Sequence, residues 1–170
     1  GGILSISMPP VPFTLQTFFV LMSGLLLGPK YGPLSQVLYV VLGLIGLPIF
    51  AGGMGGLQQV FSPSFGFLLG FIAESWLAGL LLSGRWFPKA KTFFQYFLIC
   101  LAATVFLYVV AFPCFYLNMQ YVTKTPVSLL RDFQLAVFPF VVPDTIKVVA
   151  AGALAHRTIP LLRESGLLPK

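Results

Sequence analysis

Three long stretches of this chain carry no charged residue, and they constrain the fold more than any other feature of the sequence. Residues 1–29, 31–73 and 92–123 contain no Asp, Glu, Lys or Arg. A helix needs about 20 apolar residues to cross a bilayer, and each stretch is longer than that. Only 8% of the 170 residues are charged, whereas soluble domains carry about 25%. Because the alternating pattern of a membrane barrel is absent, the sequence predicts an all-α, multi-pass membrane protein.

Proline and glycine residues divide these stretches into spans within a single integral membrane domain, residues 1–170. Residues 1–7 are predicted to be the end of a first helix that begins upstream, and the proline-rich segment 8–12 breaks it. Residues 127–138 are predicted to form a short helix or an interfacial segment. Helix start and stop signals place five full spans at about residues 13–28, 33–47, 65–83, 92–112 (with an extension past Pro113 to 117 as the alternative) and 143–162.

The net charge of +6 is distributed as a membrane topology predicts. Two basic residues, Lys124 and Arg131, fall on one side of the predicted spans and seven fall on the other. By the positive-inside rule the second side is cytoplasmic, and both termini are predicted to lie there. The basic residues are not clustered as in a nucleic-acid site, so no nucleic-acid partner is predicted. The seven cytoplasmic residues are Lys30, Arg85, Lys89, Lys91, Arg157, Arg163 and Lys170.

An acid and a base three residues apart, Asp144 and Lys147, stand at the predicted start of the last span. Their spacing places them on one helix face, and charged groups at membrane depth cost a few kcal/mol each on insertion scales. Two explanations remain open from the residues alone. Asp144 could complement the positive end of a helix that starts at Pro143, with Lys147 neutralising it. Alternatively, the two groups address opposite ends of a ligand that carries a carboxylate and hydrogen-bond donors.

Other polar residues in the spans are few. Glu74, near the middle of the third span, needs a partner, a proton or water; it could meet a ligand or Lys147, or stay protonated. Gln16, with Thr14 and Thr17, offers uncharged hydrogen-bonding groups at the predicted external level. His156 has no cluster of ligand-type residues around it, so no metal site is predicted. The chain lacks the P-loop motif and the common catalytic motifs, so no ATP site, cofactor or enzymatic activity is predicted.

Five segments together carry a family resemblance. They read PVPFTLQT at 10–17, GLLLGPKYG at 24–32, GLIGLPIFAGG at 43–53, PSFGFLLGF at 63–71 and DxxK at 144–147. In these segments the chain resembles the BioY family, the biotin-binding S components of energy-coupling factor (ECF) transporters. The chain departs from the family's pattern in three places: Val142-Pro143-Asp144 stands where Pro-Gly-Asp is usual, Phe65 reduces the glycine pair expected before residue 67, and Phe67 stands where a tyrosine is expected.

The resemblance implies a six-helix S-component bundle, with its first helix mostly missing from this chain and a biotin pocket open to the outside. A transmembrane coupling subunit and two ATPase subunits would drive release across the plasma membrane, and the bilayer would surround the bundle. The resemblance supports the pair Asp144 and Lys147; their chemistry suggests that Asp144 accepts the ureido N–H groups and Lys147 binds the valerate carboxylate. The substrate-binding residues predicted on this basis are Asp144, Lys147, Gln16, Thr14, Gly52, Gly53, Ser64, Phe67 and Glu74.

Three other functions remain open at this level. The chain could be an S component for another small carboxylated vitamin. It could be a membrane-embedded enzyme that uses Glu74 as acid or base, or a membrane scaffold without a small ligand.

Overall fold

The computed structural model describes residues 5–6, 13–83, 90, 92–124 and 128–166, and these residues form an all-α fold. Two strands of two residues each, β1 (Ser5–Ile6) and β2 (Phe13–Thr14), pair antiparallel before the first helix. Short 3₁₀ turns occupy Ala51–Gly53 and Leu57–Phe61, and a π-helical turn occupies Asn118–Val122. The five α-helices are α1 (Gln16–Ile45), α2 (Phe65–Ser83), α3 (Phe93–Leu117), α4 (Leu129–Ala136) and α5 (Phe138–Glu164).

Helix α1 is a hairpin of two limbs, 16–27 and 29–45, because its backbone breaks at one residue. Gly28 has φ 77° and ψ −176°, which is not helical. The limbs lie side by side, since the Gln36 side-chain amide donates to the Ser23 hydroxyl at 2.9 Å. The predicted turn at residues 29–32 is therefore helical, and the single residue Gly28 makes the reversal. Pro29 suits the first turn of the second limb because that turn needs no N–H donor.

The outer ends of the two limbs differ from the predicted spans 13–28 and 33–47. The first limb begins at Gln16 because residues 13–14 belong to β2. The second limb ends at Ile45, where Gly46 takes φ 119° and its N–H bonds back to the Gly43 and Leu42 carbonyls. A glycine with positive φ is a common helix terminator, which explains the earlier end.

The remaining helices match or exceed the predicted bounds. Helix α2 has the bounds predicted for the third span. Helix α3 continues past Pro113 to Leu117, since a proline inside a helix removes one hydrogen bond without always ending it. Helix α5 begins at Phe138 and not at 143, with Pro139 in its first turn and Pro143 inside it. Three described helical segments are long and apolar enough to cross a membrane: Phe65–Ser83, Phe93–Val122 and Leu130–Glu164.

The N-terminal segment departs from its prediction as a helix end. Ser5 pairs with Thr14 and Ile6 with Phe13 in an antiparallel register, so the helical prediction is wrong at these two residues. The physical reason is that the prolines between the strands disfavour helix, whereas cross-strand pairing satisfies the backbone groups of residues 5–6. Three other segments with predictions lie outside the described residues. They are residues 1–4 and 7, the proline-rich segment 8–12, and the segment 84–91 with its three basic residues, of which only Ala90 is described.

Small residues let α2 approach its two neighbours closely. A Cβ at Gly79 would lie 2.6 Å from backbone atoms of Gly28 and Pro29 in α1. A Cβ at Gly66 would lie 2.7 Å from the Ala111 carbonyl oxygen in α3. Such distances leave no room for a side chain, so these glycines serve packing inside the bundle, as small residues do in membrane helices.

The packing also defines the two ends of the bundle. The α1 bend lies against Gly79, near the end of α2. Tyr96, near the start of α3, packs against His156 of α5. One core cluster joins Leu82, Tyr96 and Ile159. The bend, the end of α2, the start of α3 and the end of α5 therefore lie together. We call this the basic end, because Lys30, Arg157 and Arg163 belong to it. The loop 46–64, helix α4 and the start of α5 form the opposite end.

Candidate functional site

A cavity opens at the end of the bundle opposite the basic end. It contains about 660 Å³ of space outside the atoms, including the open solvent at its mouth. Ligand pockets in proteins combine predominantly apolar walls with a few polar groups that orient the ligand. This cavity fits that description; its walls are formed by Thr14, Gln16, Thr17, Phe50, Ala51, Met54, Gln59, Ser64, Phe67, Leu68, Phe71, Leu107, Tyr108, Phe140, Asp144 and Lys147.

The charged part of the wall is the predicted pair on α5. Asp144 and Lys147 are only 6% and 9% exposed. The Lys147 ammonium donates to Asp144 Oδ1 at 2.7 Å, which is a direct salt bridge. The i, i+3 spacing on one helix explains how two such short-range partners meet. The structure therefore brings the two predicted residues together at one place in the cavity.

The helix-end explanation for Asp144 is wrong. Helix α5 begins at Phe138, so Asp144 follows the helix start by six residues and lies beyond the first turn. The stabilising effect of a helix end on an acidic group falls off within that turn. Neutralisation by Lys147, the other half of that explanation, is seen directly in the salt bridge. The helix start does not explain this buried pair. Its position in the cavity wall favours a role in binding a ligand.

A third polar group completes this end of the cavity, and sequence reasoning missed it. The Tyr108 hydroxyl of α3 donates to Asp144 Oδ2, so both carboxylate oxygens already accept a hydrogen bond. The available signal was the spacing of Thr104 and Tyr108, two polar residues four apart in an otherwise apolar helix. That spacing puts both on one face, which here is the face turned towards the buried acids.

The apolar wall is a cluster of aromatic rings around Phe67, a predicted site residue. Its ring packs edge-on against Tyr108 with 6.2 Å between centroids and against Phe115 with 6.5 Å. Phe140 lies at 6.2 Å on another side. Aromatic pairs prefer such edge-to-face and tilted arrangements, and they hold the rings in place. The wall therefore offers a packed aromatic surface next to the charged pair.

Uncharged polar groups from the segment before α1 and its first turn line another part of the cavity. The Thr14 hydroxyl donates to Gln16 Oε1 at 3.0 Å. The Gln16 amide nitrogen donates to the Tyr39 hydroxyl at 2.6 Å, which ties the first limb of α1 to the second. Ser64 also lines the cavity, with its hydroxyl 2.8 Å from that of Ser62. Thr14, Gln16 and Ser64, three of the residues predicted to bind substrate, thus lie in the cavity wall, where hydrogen bonds to neighbours hold them.

Three predicted site residues lie outside the cavity wall. Glu74 is fully buried, and its Oε1 accepts a 2.8 Å bond from the Thr104 hydroxyl. Its Oε2 has no hydrogen-bond partner among the described residues. Gly52 and Gly53 take φ values of 71° and 72° and are exposed. They shape the loop while their neighbours Ala51 and Met54 reach the cavity.

The chemistry available in this site is binding. The charged end offers carboxylate acceptors and an ammonium donor side by side, and the aromatic wall offers a dry surface for a ring. Among the described residues no group of three or more His, Cys, Asp or Glu could hold a metal ion. The arrangement suits a compact ligand with a polar head and an apolar body.

Comparison with known proteins identifies the family. The sequence model of the BioY family matches residues 1–164. A protein of Thermotoga maritima named biotin transporter BioY is 40% identical over 157 residues, which cover 92% of this chain and 86% of that protein. A probable biotin transporter BioY of Pyrococcus horikoshii is 36% identical with the same coverage of both chains.

A solved structure shows the same fold. The crystal structure at 2.1 Å of the S-component for biotin from an ECF-type ABC transporter matches with a TM-score of 0.78 and 29% identity. The match covers 94% of this chain and 80% of that one. Together with the family match over nearly the whole sequence and the buried acid and lysine on α5, this similarity shows that the chain belongs to the BioY family.

Proposed function

We propose that this chain captures biotin and serves as the substrate-binding S component of an ECF-type transporter. The observation that carries the proposal is the cavity in which the Asp144–Lys147 pair adjoins an aromatic wall. Biotin has a urea group on a compact bicyclic ring and a carboxylate on a flexible chain. Its ring suits the aromatic wall, and its urea N–H groups suit a carboxylate acceptor. The names of the relatives in the BioY family support the same substrate.

Within this proposal, Asp144 accepts hydrogen bonds from the urea N–H groups. Two assignments exist for Lys147, because its ammonium lies 2.7 Å from Asp144 Oδ1. The valerate chain places the carboxylate roughly 6 Å beyond the ring, from carbon–carbon bond lengths of about 1.5 Å. Lys147 can therefore bind the carboxylate only by leaving Asp144. If it stays, it donates to the urea oxygen, and the observed salt bridge favours this second assignment.

We propose that the cavity opens to the outside of the plasma membrane, with the C-terminal end of α5 in the cytoplasm. The predicted cytoplasmic position of the N-terminal residues does not fit the fold, because residues 5–6 pair with β2, and Thr14 of β2 lines the cavity. In support, the cavity lies at the end opposite Lys30, Arg157 and Arg163, and basic residues favour the cytoplasmic side. The two limbs of α1 together with α2, α3 and α5 would supply the five spans.

The remaining part of the proposal concerns partners. An S component binds substrate but does not hydrolyse ATP, so a transmembrane coupling subunit and two ATPase subunits would drive release into the cytoplasm. A carboxylated vitamin other than biotin is the alternative substrate. Glu74 lies outside the cavity wall, so no observation favours an enzyme that uses this residue.

The first test is binding by the purified chain. We expect mass spectrometry to find biotin among the molecules that co-purify with it, and calorimetry to show tight binding. Asp144→Ala and Lys147→Ala should each weaken binding at least tenfold, since lost hydrogen bonds to charged groups cost about 1.5–3 kcal/mol. The control Lys30→Ala removes an exposed charge away from the cavity and should bind as the parent does. Unchanged affinity in both site variants would contradict the assigned site.

The same experiment with biotin amide separates the two assignments of Lys147. If Lys147 binds the carboxylate, Lys147→Ala weakens biotin much more than the uncharged amide. If Lys147 donates to the urea oxygen, both ligands weaken equally. A different vitamin that displaces labelled biotin at lower concentration than biotin itself would instead favour the alternative substrate.

A further inference from the structure

Both oxygens of the Asp144 carboxylate accept a hydrogen bond from the protein. Oδ1 accepts from the Lys147 ammonium at 2.7 Å, and Oδ2 accepts from the Tyr108 hydroxyl. All three groups line the cavity. A carboxylate has about four lone-pair positions, so each oxygen can still accept one more hydrogen bond from a ligand.

The position of Tyr108 is set by packing. Its ring meets Phe67 at an interplanar angle of 89°, and Phe67 is itself packed between Phe115 and Phe140. Tyr108 also comes from α3, whereas Asp144 and Lys147 come from α5, so its hydroxyl fixes the carboxylate from a second helix. A hydroxyl held by such a rigid ring loses little freedom in making its hydrogen bond.

We propose that Tyr108 is a positioning residue that makes this end of the cavity select a neutral ligand head over a cationic one. This inference rests on the proposed biotin function. An Asp144 carboxylate that faced the cavity uncompensated would attract a cation most strongly. The Lys147 ammonium balances the Asp144 charge at one oxygen, the neutral Tyr108 hydroxyl occupies the other oxygen, and a ligand cation would meet the ammonium. A neutral urea gains hydrogen bonds from the remaining lone pairs without that repulsion.

The test compares biotin with 2-iminobiotin, in which a positively charged guanidinium replaces the urea. The full chain in lipid nanodiscs is titrated with each ligand by calorimetry. We expect the parent protein to prefer biotin. In Tyr108→Phe, Oδ2 of the charged Asp144 loses its protein donor and can accept a charge-assisted hydrogen bond from the guanidinium, so the biotin-to-iminobiotin affinity ratio should fall about tenfold. A merely structural role would weaken both ligands alike and leave this ratio unchanged.

The matched control is Tyr39→Phe, which also removes a partly buried hydroxyl. That hydroxyl bonds Gln16 and the Ile49 carbonyl oxygen rather than Asp144, so the ratio should stay at its parental value. A second check uses a cycle, because the effect of Tyr108→Phe on the ratio should disappear when Asp144→Asn is already present. If Tyr108→Phe changes the affinity ratio in the parent protein but not in the Asp144→Asn variant, Tyr108 acts through Asp144.

The outcomes separate the inference from the proposed function. A parent protein that binds no biotin overturns both. Biotin binding with an unchanged ratio in Tyr108→Phe overturns the inference alone. The parent protein also tests the idea without any variant, since equal affinity for biotin and 2-iminobiotin would contradict a charge-selective site even if Tyr108→Phe failed to fold.

Discussion

At the scale of single residues, the main feature is a salt bridge buried between membrane helices. Burying two charges is costly, and replacing such a pair by apolar residues is often neutral or stabilising. The pair Asp144–Lys147 is therefore poorly explained by stability alone. Removing one partner is different, because it leaves an uncompensated charge that costs about 3–5 kcal/mol. Variants of either residue thus need a folding control before a loss of binding is interpreted.

Glu74 gives a residue-scale prediction that separates structure from ligand binding. Thr104→Val removes the hydroxyl bonded to Glu74 Oε1 and should lower the free energy of unfolding by about 1–3 kcal/mol, since a buried acceptor loses its partner. Glu74→Gln keeps an acceptor for Thr104 and should cost less. Thermal unfolding in detergent measures both effects.

Biotin affinity is the second measurement on these variants. Glu74→Gln should bind biotin as the parent does, because Glu74 does not line the cavity. A clear loss of affinity in a stably folded Glu74→Gln variant would contradict this assignment and show that Glu74 contributes to biotin binding.

At the scale of elements, α1 is the part of the fold on which the cavity depends most. Its two limbs carry Gln16 and Tyr39, whose hydrogen bond crosses the hairpin beside the cavity. The reversal between the limbs depends on one residue, Gly28. With φ 77° and ψ −176°, Gly28 occupies a backbone region that is essentially restricted to glycine.

Gly28→Ala is therefore expected to destabilise the protein by about 1–3 kcal/mol through backbone strain. A clash is not the reason, because an added Cβ at Gly28 would meet nothing within 4 Å. Thermal unfolding should show a lower midpoint for Gly28→Ala. The nearby control Leu27→Ala alters an exposed side chain on helical backbone and should change the midpoint much less. Equal effects would mean that the bend tolerates a side chain.

At the scale of the whole molecule, the basic end and the cavity lie at opposite ends of the bundle. Lys30, Arg157 and Arg163 belong to the basic end, while the cavity opens beside the loop 46–64. This separation makes the proposed orientation testable in intact cells, since a membrane-impermeant reagent reaches only the outer end.

The prediction uses single cysteines in a background where Cys100 and Cys114 are replaced by alanine. Met54 is 45% exposed and lines the cavity, so Met54→Cys should react with an impermeant maleimide added to intact cells. Biotin should slow that reaction by filling the cavity. Lys30→Cys should react only after the cells are opened. If Lys30→Cys reacts in intact cells and Met54→Cys does not, the orientation in the membrane is opposite to the proposed one.

Much of the fold and part of the site could be predicted because they depend on local or additive properties. Uncharged length predicted membrane helices, and the bounds of α2 followed from its flanking signals. The start of α5 could not be predicted in the same way. Proline is common in the first turn of a helix, so Pro143 indicated a helix start, but residues 138–142 before it are also helical. The N-terminal strands were missed because their partner residues lie across a proline-rich segment.

The amino-acid sequence by itself determined the class of fold, the family and the presence of an acid and a base on one face of the last helix. Hydrophobic length, charge counts and i, i+3 spacing are properties of the chain and need no knowledge of packing. Only the tertiary structure decided that Lys147 bonds Asp144, that Tyr108 of another helix bonds it as well, and that Glu74 turns to Thr104 instead of the cavity. The last two of these contacts join residues 36 and 30 positions apart in α2, α3 and α5. Which buried group meets which is set by helix rotation and close approach at small residues, which no single segment of sequence specifies.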